Sequence, residues 1–400
     1  MKYSYRIKSI ITLFGSIAFA HAALAKNAPT PEQILTEAAR YTVKIQVQNE
    51  IAFNQDEGGP GSGTGFLIDR KRGWLLTNAH VATRSPSVVK VSFKNGEAIR
   101  AKRIHVDPFI DLAILAIPTD AIPANAIEAP LACEGLPSAG TSVFAYGHPW
   151  GLSYTASRGI VSGSAWLFPS YLIQTDATIN SGNSGGPLIN VANGRVIGIN
   201  TATYQPNDED NGATAISLAE PIQAVCEVVS LLKSGKDARM RLLPVSVATS
   251  GDDLRPRVGQ ILQTGSRFQV GDIIKKVNGG GEIESFPHLL SKLRGLSDEV
   301  TVTVDRKGQI IDFRSPVRIV ADPLKVRSIN LSGMIIAKPW RLDDHEVNPR
   351  QNLMIDDFEN GEEAALTGVK VSDFIASVDG QEFTELEALY SYLEGLAPDA

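Results

Sequence analysis

The sequence predicts a mainly β protein, and three observations carry that reading. From residue 41 to 217, short apolar runs follow one another, each closed by a turn rich in Gly, Pro or Asn. They are not interleaved with helical periods, which is the pattern of an all-β barrel or sandwich and not of βαβ units. Beyond residue 240, one α+β module is written twice.

The elements follow in order. Thr30-Pro31-Glu32-Gln33 opens a helix, with Thr30 as N-cap, Pro31 at the first helical position and Gln33 closing a capping box, and it runs to about Arg40. Tyr41, Val43, Ile45 and Val47 then alternate with Thr42, Lys44, Gln46 and Gln48, the period of a half-buried strand. Further strands are expected at 65–68, 74–77, 88–93, 112–117, 142–146, 159–164, 171–174, 196–200 and 213–217. Residues 220–233 have helical periodicity and Ser234-Gly235-Lys236 stops it, which puts a domain boundary at 235–243. After that, Val270-Gly271-Asp272-Ile273-Ile274 recurs as Val371-Ser372-Asp373-Phe374-Ile375, and Asn278-Gly279 as Asp379-Gly380, at an offset of 101. Each copy leads into a Leu-rich helical stretch. The second stops at Ala400, where the first goes on to a strand at 300–304, so it is expected to be incomplete at its C-terminal side.

The first residues stand outside this fold. Lys2, Arg6 and Lys8 precede an uncharged, mostly apolar run at 10–20, and small residues follow as Ala20-His21-Ala22 and Ala23-Leu24-Ala25, the shape of a secretory signal peptide cleaved after Ala25 or Ala22. Removing 1–25 takes away three cations and no acids, so the net charge moves from 38 − 44 = −6 to 35 − 44 = −9. An acidic mature chain argues against binding nucleic acid, which needs Lys and Arg on phosphates. No later segment is apolar enough to span a bilayer, and the expected partners are proteins. Cys133 and Cys226 admit a disulfide in an exported chain; Cys226 buried as a small hydrophobe on a helix face is the equal alternative.

Three segments together hold the parts of an acyl-transfer site. Asn180-Ser181-Gly182-Asn183-Ser184-Gly185-Gly186-Pro187 can expose a Ser hydroxyl on a tight turn whose glycines let backbone N–H groups converge. Thr77-Asn78-Ala79-His80-Val81 supplies a general base after a strand. Asp111-Leu112-Ala113-Ile114-Leu115 opens another strand with a carboxylate able to hold the His tautomer. Each alone is an ordinary structural polar residue. Their chain order, His then Asp then Ser, is that of the chymotrypsin arrangement used as a general example of the triad.

At these residues the chain resembles the HtrA/Deg family of trypsin-like serine proteases. The motifs already quoted carry the resemblance, together with Gly61-Ser62-Gly63-Thr64-Gly65-Phe66, Gln174-Thr175-Asp176-Ala177 and Val196-Ile197-Gly198-Ile199-Asn200-Thr201-Ala202. The resemblance implies a chymotrypsin-like double β-barrel at 26–238, followed by PDZ-like α+β domains at 239–325 and 326–400. It implies Ser184 as nucleophile, His80 as base, Asp111 as its orienting carboxylate, and the N–H groups of Gly182 and Ser184 as oxyanion hole. Thr178 stands where a trypsin-like pocket would want an acid, so Thr178, Ile179, Ile199 and Thr201 become candidate substrate-binding residues for small or medium aliphatic side chains. The function implied is an ATP-independent periplasmic endopeptidase for unfolded or damaged exported proteins, with a trimer-based homo-oligomer left open. A protein-binding chaperone with little turnover is the competing reading.

The chain departs from the family at His148-Pro149-Trp150-Gly151, where an Asn-Pro-Phe-Gly-like turn is usual. His148 is read as a turn residue with a satisfied side chain, or else as a second titrating group near the cleft. Residues 49–60 are short where some relatives carry a long regulatory loop. His105, His288 and His345 have no companions at ligand spacing, so no metal and no cofactor are expected. For peptide carboxylate capture, Leu242-Leu243-Pro244-Val245 is a poor nest because Pro removes a donor, and Leu331, Ser332, Gly333 and Met334 form the better candidate.

Overall fold

The computed structural model describes residues 29–396 except 50–51, 54–55, 57, 84, 168–169, 205–215, 251–252, 332, 339–352 and 359–367. The expected signal peptide therefore lies outside the described residues. Helix α1 (Pro31–Tyr41) begins as its sequence dictates: the Gln33 N–H donates to Thr30 Oγ1 and the Thr30 N–H to Gln33 Oε1. Its Ile34, Ala38, Ala39 and Tyr41 face inward.

Two closed barrels follow. The first runs in the order β1 (Thr42–Asn49), β2 (Gly59–Asp69), β3 (Trp74–Thr77), β6 (Leu112–Ala116), β5 (Ile99–Asp107), β4 (Ser87–Ser92). The second runs β10 (Pro187–Asn190), β11 (Val196–Tyr204), β12 (Ile216–Pro221), β9 (Ser170–Thr175), β8 (Thr155–Leu167), β7 (Ser142–Gly147). All neighbouring pairs with a printed register are antiparallel. The alternating strand at 41–48 is β1, whose even and odd residues divide between the core and the outer face. Two strands escaped the sequence reading. β5 carries Arg100, Lys102 and Arg103 in a half-exposed run, and β10 is only Pro187-Leu188-Ile189-Asn190, so neither looks like an apolar run between turns.

Helix α3 (Ile222–Lys233) closes the barrels, burying Ile222, Val225, Val228 and Val229. A disulfide joins its Cys226 to Cys133, with Cα atoms 5.8 Å apart, which decides between the two readings of those cysteines. Beyond it, after the short β13 (Arg241–Leu242), β14 (Val245–Ser250), β15 (Asp253–Ile261), β16 (Ile273–Val277), β17 (Glu299–Arg306) and β18 (Gln309–Pro316) form one antiparallel sheet, with helix α4 (Phe286–Leu293) contributing Phe286, Leu289, Leu290 and Leu293 to its core. Among the described residues, the last unit has a three-stranded sheet (Ser328–Leu331, Met334–Ala337, Met354–Phe358) and helix α5 (Leu386–Glu394).

The repeat holds at the level of single hydrogen bonds. Asp272 Oδ2 accepts from the Gln269 N–H and Asp373 Oδ2 from the Lys370 N–H. The Gly271 N–H donates to Val258 O and the Ser372 N–H to Ile355 O. Left-handed backbone recurs at Asn278 and Asp379, where φ is 48° and 52°. What differs is the strand: β16 pairs with β17 from Ile273 to Val277 around one bulge, whereas Phe374 and Val378 make only isolated bridges.

The first sheet unit is seated on both barrels, against the segment between β5 and β6 of the first and against β8 of the second. Phe109 and Trp166 pack against its core, and Arg294, the cap of α4, lies 2.5 Å from Asp107 Oδ2 with both side chains almost wholly buried.

Candidate active site

The candidate base and its carboxylate come from adjacent edges of the first barrel. β3 ends at Thr77, and a one-turn helix, α2 (Ala79–Ala82), sets His80 over the seam between the barrels. β6 starts immediately after Asp111, whose φ of 43° is a left-handed conformation that a non-glycine residue adopts only under local constraint. The constraint is visible. The Ala79 N–H and Asn78 Nδ2 both donate to Asp111 O at 3.0 Å, and the His80 N–H donates to Asp111 Oδ1 at 3.0 Å. The other oxygen, Oδ2, stands 2.8 Å from His80 Nδ1. A carboxylate accepts only, so that bond puts a proton on Nδ1 and leaves Nε2 basic. The His80 side chain remains nearly half exposed and the Asp111 side chain a quarter, so the pair is open to a substrate.

Ser184 arrives from the second barrel on the turn before β10. Gly63 of β2 shows how close the two halves come: a Cβ there would lie 2.5 Å from Val81, the neighbour of His80, and 3.2 Å from Ser184 O. The turn needs its glycines. Gly185 has φ of 83°, and a Cβ on it would sit 2.1 Å from Thr64 O. Among the described residues, neither the Gly182 nor the Ser184 N–H has a hydrogen-bond partner, whereas Asn183, Gly185 and Gly186 all donate within the fold. The Ser184 hydroxyl donates to Thr201 O at 3.1 Å. Thr201 is the extra residue of a β-bulge in β11, where pairing with β12 slips between Asn200 and Ala202, and bulges of this kind re-aim groups beside functional sites.

The pocket candidates divide. Thr201 is beside the Ser184 hydroxyl, and Thr178 is exposed, with its carbonyl accepting from Ser157 Oγ at 2.6 Å. Ile179 and Ile199 are packed in the cores, 2% and 0% exposed, and offer no surface here, because both sit on the inner side of strands or turns that the barrels close over. Leu242, Leu243, Pro244 and Val245 make a poor nest: Pro244 has no N–H to offer, Leu243 is buried, and Leu242 and Val245 pair with Arg318 and Ile261. Leu331 and Met334 face each other across a hairpin, and the Gly333 N–H is taken by Asn330 Oδ1, which removes a donor from the expected carboxylate cradle; Ser332 lies outside the described residues. Among the described residues, no group of three or more His, Cys, Asp or Glu side chains is placed to hold a metal.

His148 is bonded at one nitrogen only. Its Nδ1 is 3.2 Å from Thr64 Oγ1, while Nε2 is buried without a partner. Burial, with Lys44 adding to it, pushes its pKa down to about 4, so the ring is neutral at neutral pH. Glu220, fully buried on β12 with Ser170 Oγ donating to it at 2.8 Å, is pushed the other way, well above the ordinary carboxylate range, by burial. Sequence reasoning quoted Asn78 and Thr64 inside motifs without giving them work. Asn78 Nδ2 bridges Asp111 O and Thr201 Oγ1 across the barrels, and Thr64 touches the Ser184 turn. Nothing in the sequence marks either residue; both are fully buried polar side chains, and only the fold shows it.

Comparison with known proteins bears on the fold and the family. Residues 63–199 match the trypsin-like peptidase domain family. A probable periplasmic serine endoprotease, DegP-like, from Pseudomonas fluorescens is 30% identical over 359 residues, covering 81% of this chain and 73% of its own length. A probable periplasmic serine protease do/HhoA-like from Haemophilus influenzae is 28% identical, over 84% of this chain and 74% of its own. The solved HtrA-type protease AlgW with a tripeptide superimposes with a TM-score of 0.59 at 25% identity, over 74% of this chain and 99% of that one. A likeness that runs over 359 residues extends past the two barrels into the units behind them, and so the chain belongs to the HtrA/DegP family of serine proteases.

Proposed function

We propose that this serine protease works through Ser184, His80 and Asp111 as an ATP-independent endopeptidase on unfolded exported proteins in the periplasm. The observation that carries the assignment is the doubly bonded Asp111 carboxylate, which holds both the main chain and Nδ1 of His80 and so fixes its tautomer. Ser184 Oγ attacks the scissile carbonyl while His80 Nε2 takes its proton and then gives it to the leaving amine; Asp111 stabilises the imidazolium. The free N–H groups of Gly182 and Ser184 receive the oxyanion.

The Ser184 hydroxyl has one adjustment to make. In the free enzyme it donates to Thr201 O. A substrate strand laid along the bulge of β11 brings a backbone N–H to that same carbonyl, which displaces the hydroxyl and lets it turn to His80. Substrate binding thereby engages the nucleophile. The absence of an acid at Thr178 argues against Arg or Lys before the cleaved bond, and small or medium aliphatic residues are the preference proposed there.

The test is degradation of reduced, unfolded casein by the purified mature chain without ATP, beside Ser184→Ala and Asp111→Asn. Ser184→Ala should abolish cleavage and Asp111→Asn should lower kcat by about 10⁴-fold, as loss of the correct tautomer does in the general case. Undiminished turnover by Ser184→Ala would refute the assignment. Suppression of aggregation by the parent with no cleavage would favour the chaperone reading.

A further inference from the structure

The turn that presents Ser184 is held one peptide plane at a time. Because a trans peptide fixes each N–H opposite the preceding C=O, whatever holds a carbonyl also aims the next amide. Ser181 O accepts from the Trp150 N–H at 2.9 Å, which aims the Gly182 N–H. Asn183 O accepts from the Gly186 N–H at 2.9 Å, which aims the Ser184 N–H. The two remaining carbonyls go to a single residue of the other barrel. Thr64 Oγ1 donates to Gly182 O at 2.7 Å and the Thr64 N–H donates to Ser184 O at 2.9 Å. Of these four anchors three are backbone amides, and the fourth is the only side chain.

That hydroxyl has no freedom to point elsewhere. It carries one proton, which goes to Gly182 O, so its other neighbours must donate to it. The His148 N–H does so at 3.1 Å, and His148 Nδ1, 3.2 Å away, must carry a hydrogen to do the same. Thr64 is fully buried, and its own carbonyl accepts from Thr77 Oγ1 at 2.7 Å, three residues before His80. A network in which every member has one assigned role keeps one geometry.

We propose that Thr64 is a positioning residue for the oxyanion hole: its hydroxyl fixes the Gly182 carbonyl, whose peptide plane carries the Asn183 N–H and joins the planes of the two oxyanion donors, so it sets how the Gly182 and Ser184 N–H groups stand to each other, with His148 orienting that hydroxyl. The inference rests on the reading of Ser184 as nucleophile and of Gly182 and Ser184 as oxyanion donors. Loss of a donor in such a hole costs about 10²- to 10³-fold in kcat, and a misplacement of about 1 Å costs about 10²-fold. Thr64→Val keeps the shape and removes the hydroxyl's bond to Gly182 O while leaving both oxyanion N–H groups in place. It should therefore lower kcat by about 10- to 100-fold, with KM within about twofold of the parent.

The experiment measures kcat and KM on a quenched fluorescent peptide spanning a mapped casein cleavage site, for the parent, Thr64→Val, Thr64→Ser and Ser184→Ala. Affinity for a peptidyl boronate, which forms a tetrahedral adduct, is measured alongside. The expected result is a fall in boronate affinity by the same factor as kcat/KM in Thr64→Val, and activity close to the parent in Thr64→Ser. A merely structural role would not produce that match. Parent-like kcat in Thr64→Val, or a loss in Thr64→Ser as large as in Thr64→Val, overturns the proposal while an inactive Ser184→Ala leaves the site assignment standing. An active Ser184→Ala removes the assignment itself. Should Thr64→Val fail to fold, Thr64→Ala takes its place and the same comparison with Thr64→Ser decides.

Discussion

Arg294→Ala tests how the sheet unit is held on the barrels. The Arg294 and Asp107 side chains are 5% and 2% exposed, and Nη1 lies 2.5 Å from Oδ2 without the alignment of a hydrogen bond. Nη1 also donates to Ala238 O at 2.8 Å, and Asp107 Oδ1 accepts from the Phe109 N–H at 3.0 Å. Truncating Arg294 leaves a carboxylate buried with no opposite charge, a change that costs about 3–5 kcal/mol. At about 1.4 kcal/mol per power of ten, the seated state loses roughly 10²- to 10³-fold or more in population. Because the chain has several cores, a single melting temperature is the wrong observable. Hydrogen exchange at 105–112 and 286–296 reports the contact directly, and Trp166, which packs on the sheet core, reports it by a red shift in emission. The control is Asp107→Asn with Arg294→Met, which removes both charges and should recover most of the protection. Exchange within about fivefold of the parent in Arg294→Ala, or a double variant as damaged as the single one, would refute the reasoning. Asp111 lies four residues beyond Asp107 along the same segment, so casein cleavage should fall with the exchange protection.

Two pH predictions have opposite signs. Glu220 keeps its proton in the fold after an unfolded Glu has lost it, so stability is present at acid pH and is lost as pH rises from about 4.5 toward the raised folded value. Glu220→Gln, which can still accept from Ser170 Oγ, should gain on the parent in urea unfolding at pH 7 and not at pH 4; an equal difference at both would count against a buried neutral acid. His148 stays neutral in the fold down to about 4, whereas an unfolded His takes a proton from about 6.5, so stability is present above 6.5 and is lost as pH falls through that window. The interval corresponds to about 3 kcal/mol at 1.36 kcal/mol per pKa unit. Relative to the parent, His148→Asn should gain up to that amount between pH 7 and pH 4, and a gap that does not change with pH would remove the buried ring as its cause.

The barrels were legible because a half-buried strand writes its environment as alternation and a buried one as an apolar run. Trp74–Thr77 is found where it was expected, and the capping box at Thr30 forms both of its bonds. Where burial is uneven the signal fades. Ile99–Asp107 points Arg100 and Lys102 outward and keeps only its last residues buried, so it reads as a charged connection. The repeat was legible for another reason: Gly271-Asp272 and Ser372-Asp373 share a turn that demands an Asp carboxylate at one place, and hydrogen bonds of that kind fix residue type at fixed spacing.

The site divides along the same line. Ser184, His80 and Asp111 could be proposed because their chemistry selects residue types, and few types serve as nucleophile, base and carboxylate. What aims them is selected by position, which one sequence does not display. Thr64 is one Thr among many until β2 is seen crossing the Ser184 turn, 118 residues from the Gly182 carbonyl it holds. Asn78 looks like an N-cap, yet it makes no cap bond and instead joins Asp111 O to Thr201 Oγ1. Ile179 and Ile199 failed in the opposite direction: the family resemblance made them pocket candidates, but Ile179 turns into the core where its neighbour Thr178 is exposed, and the bulge at Thr201 breaks the alternation that would put Ile199 on the same side as Thr201. The residues proposed to do chemistry are therefore readable from composition and order, while those that would give the chemistry its geometry become readable only once the two barrels are closed against each other.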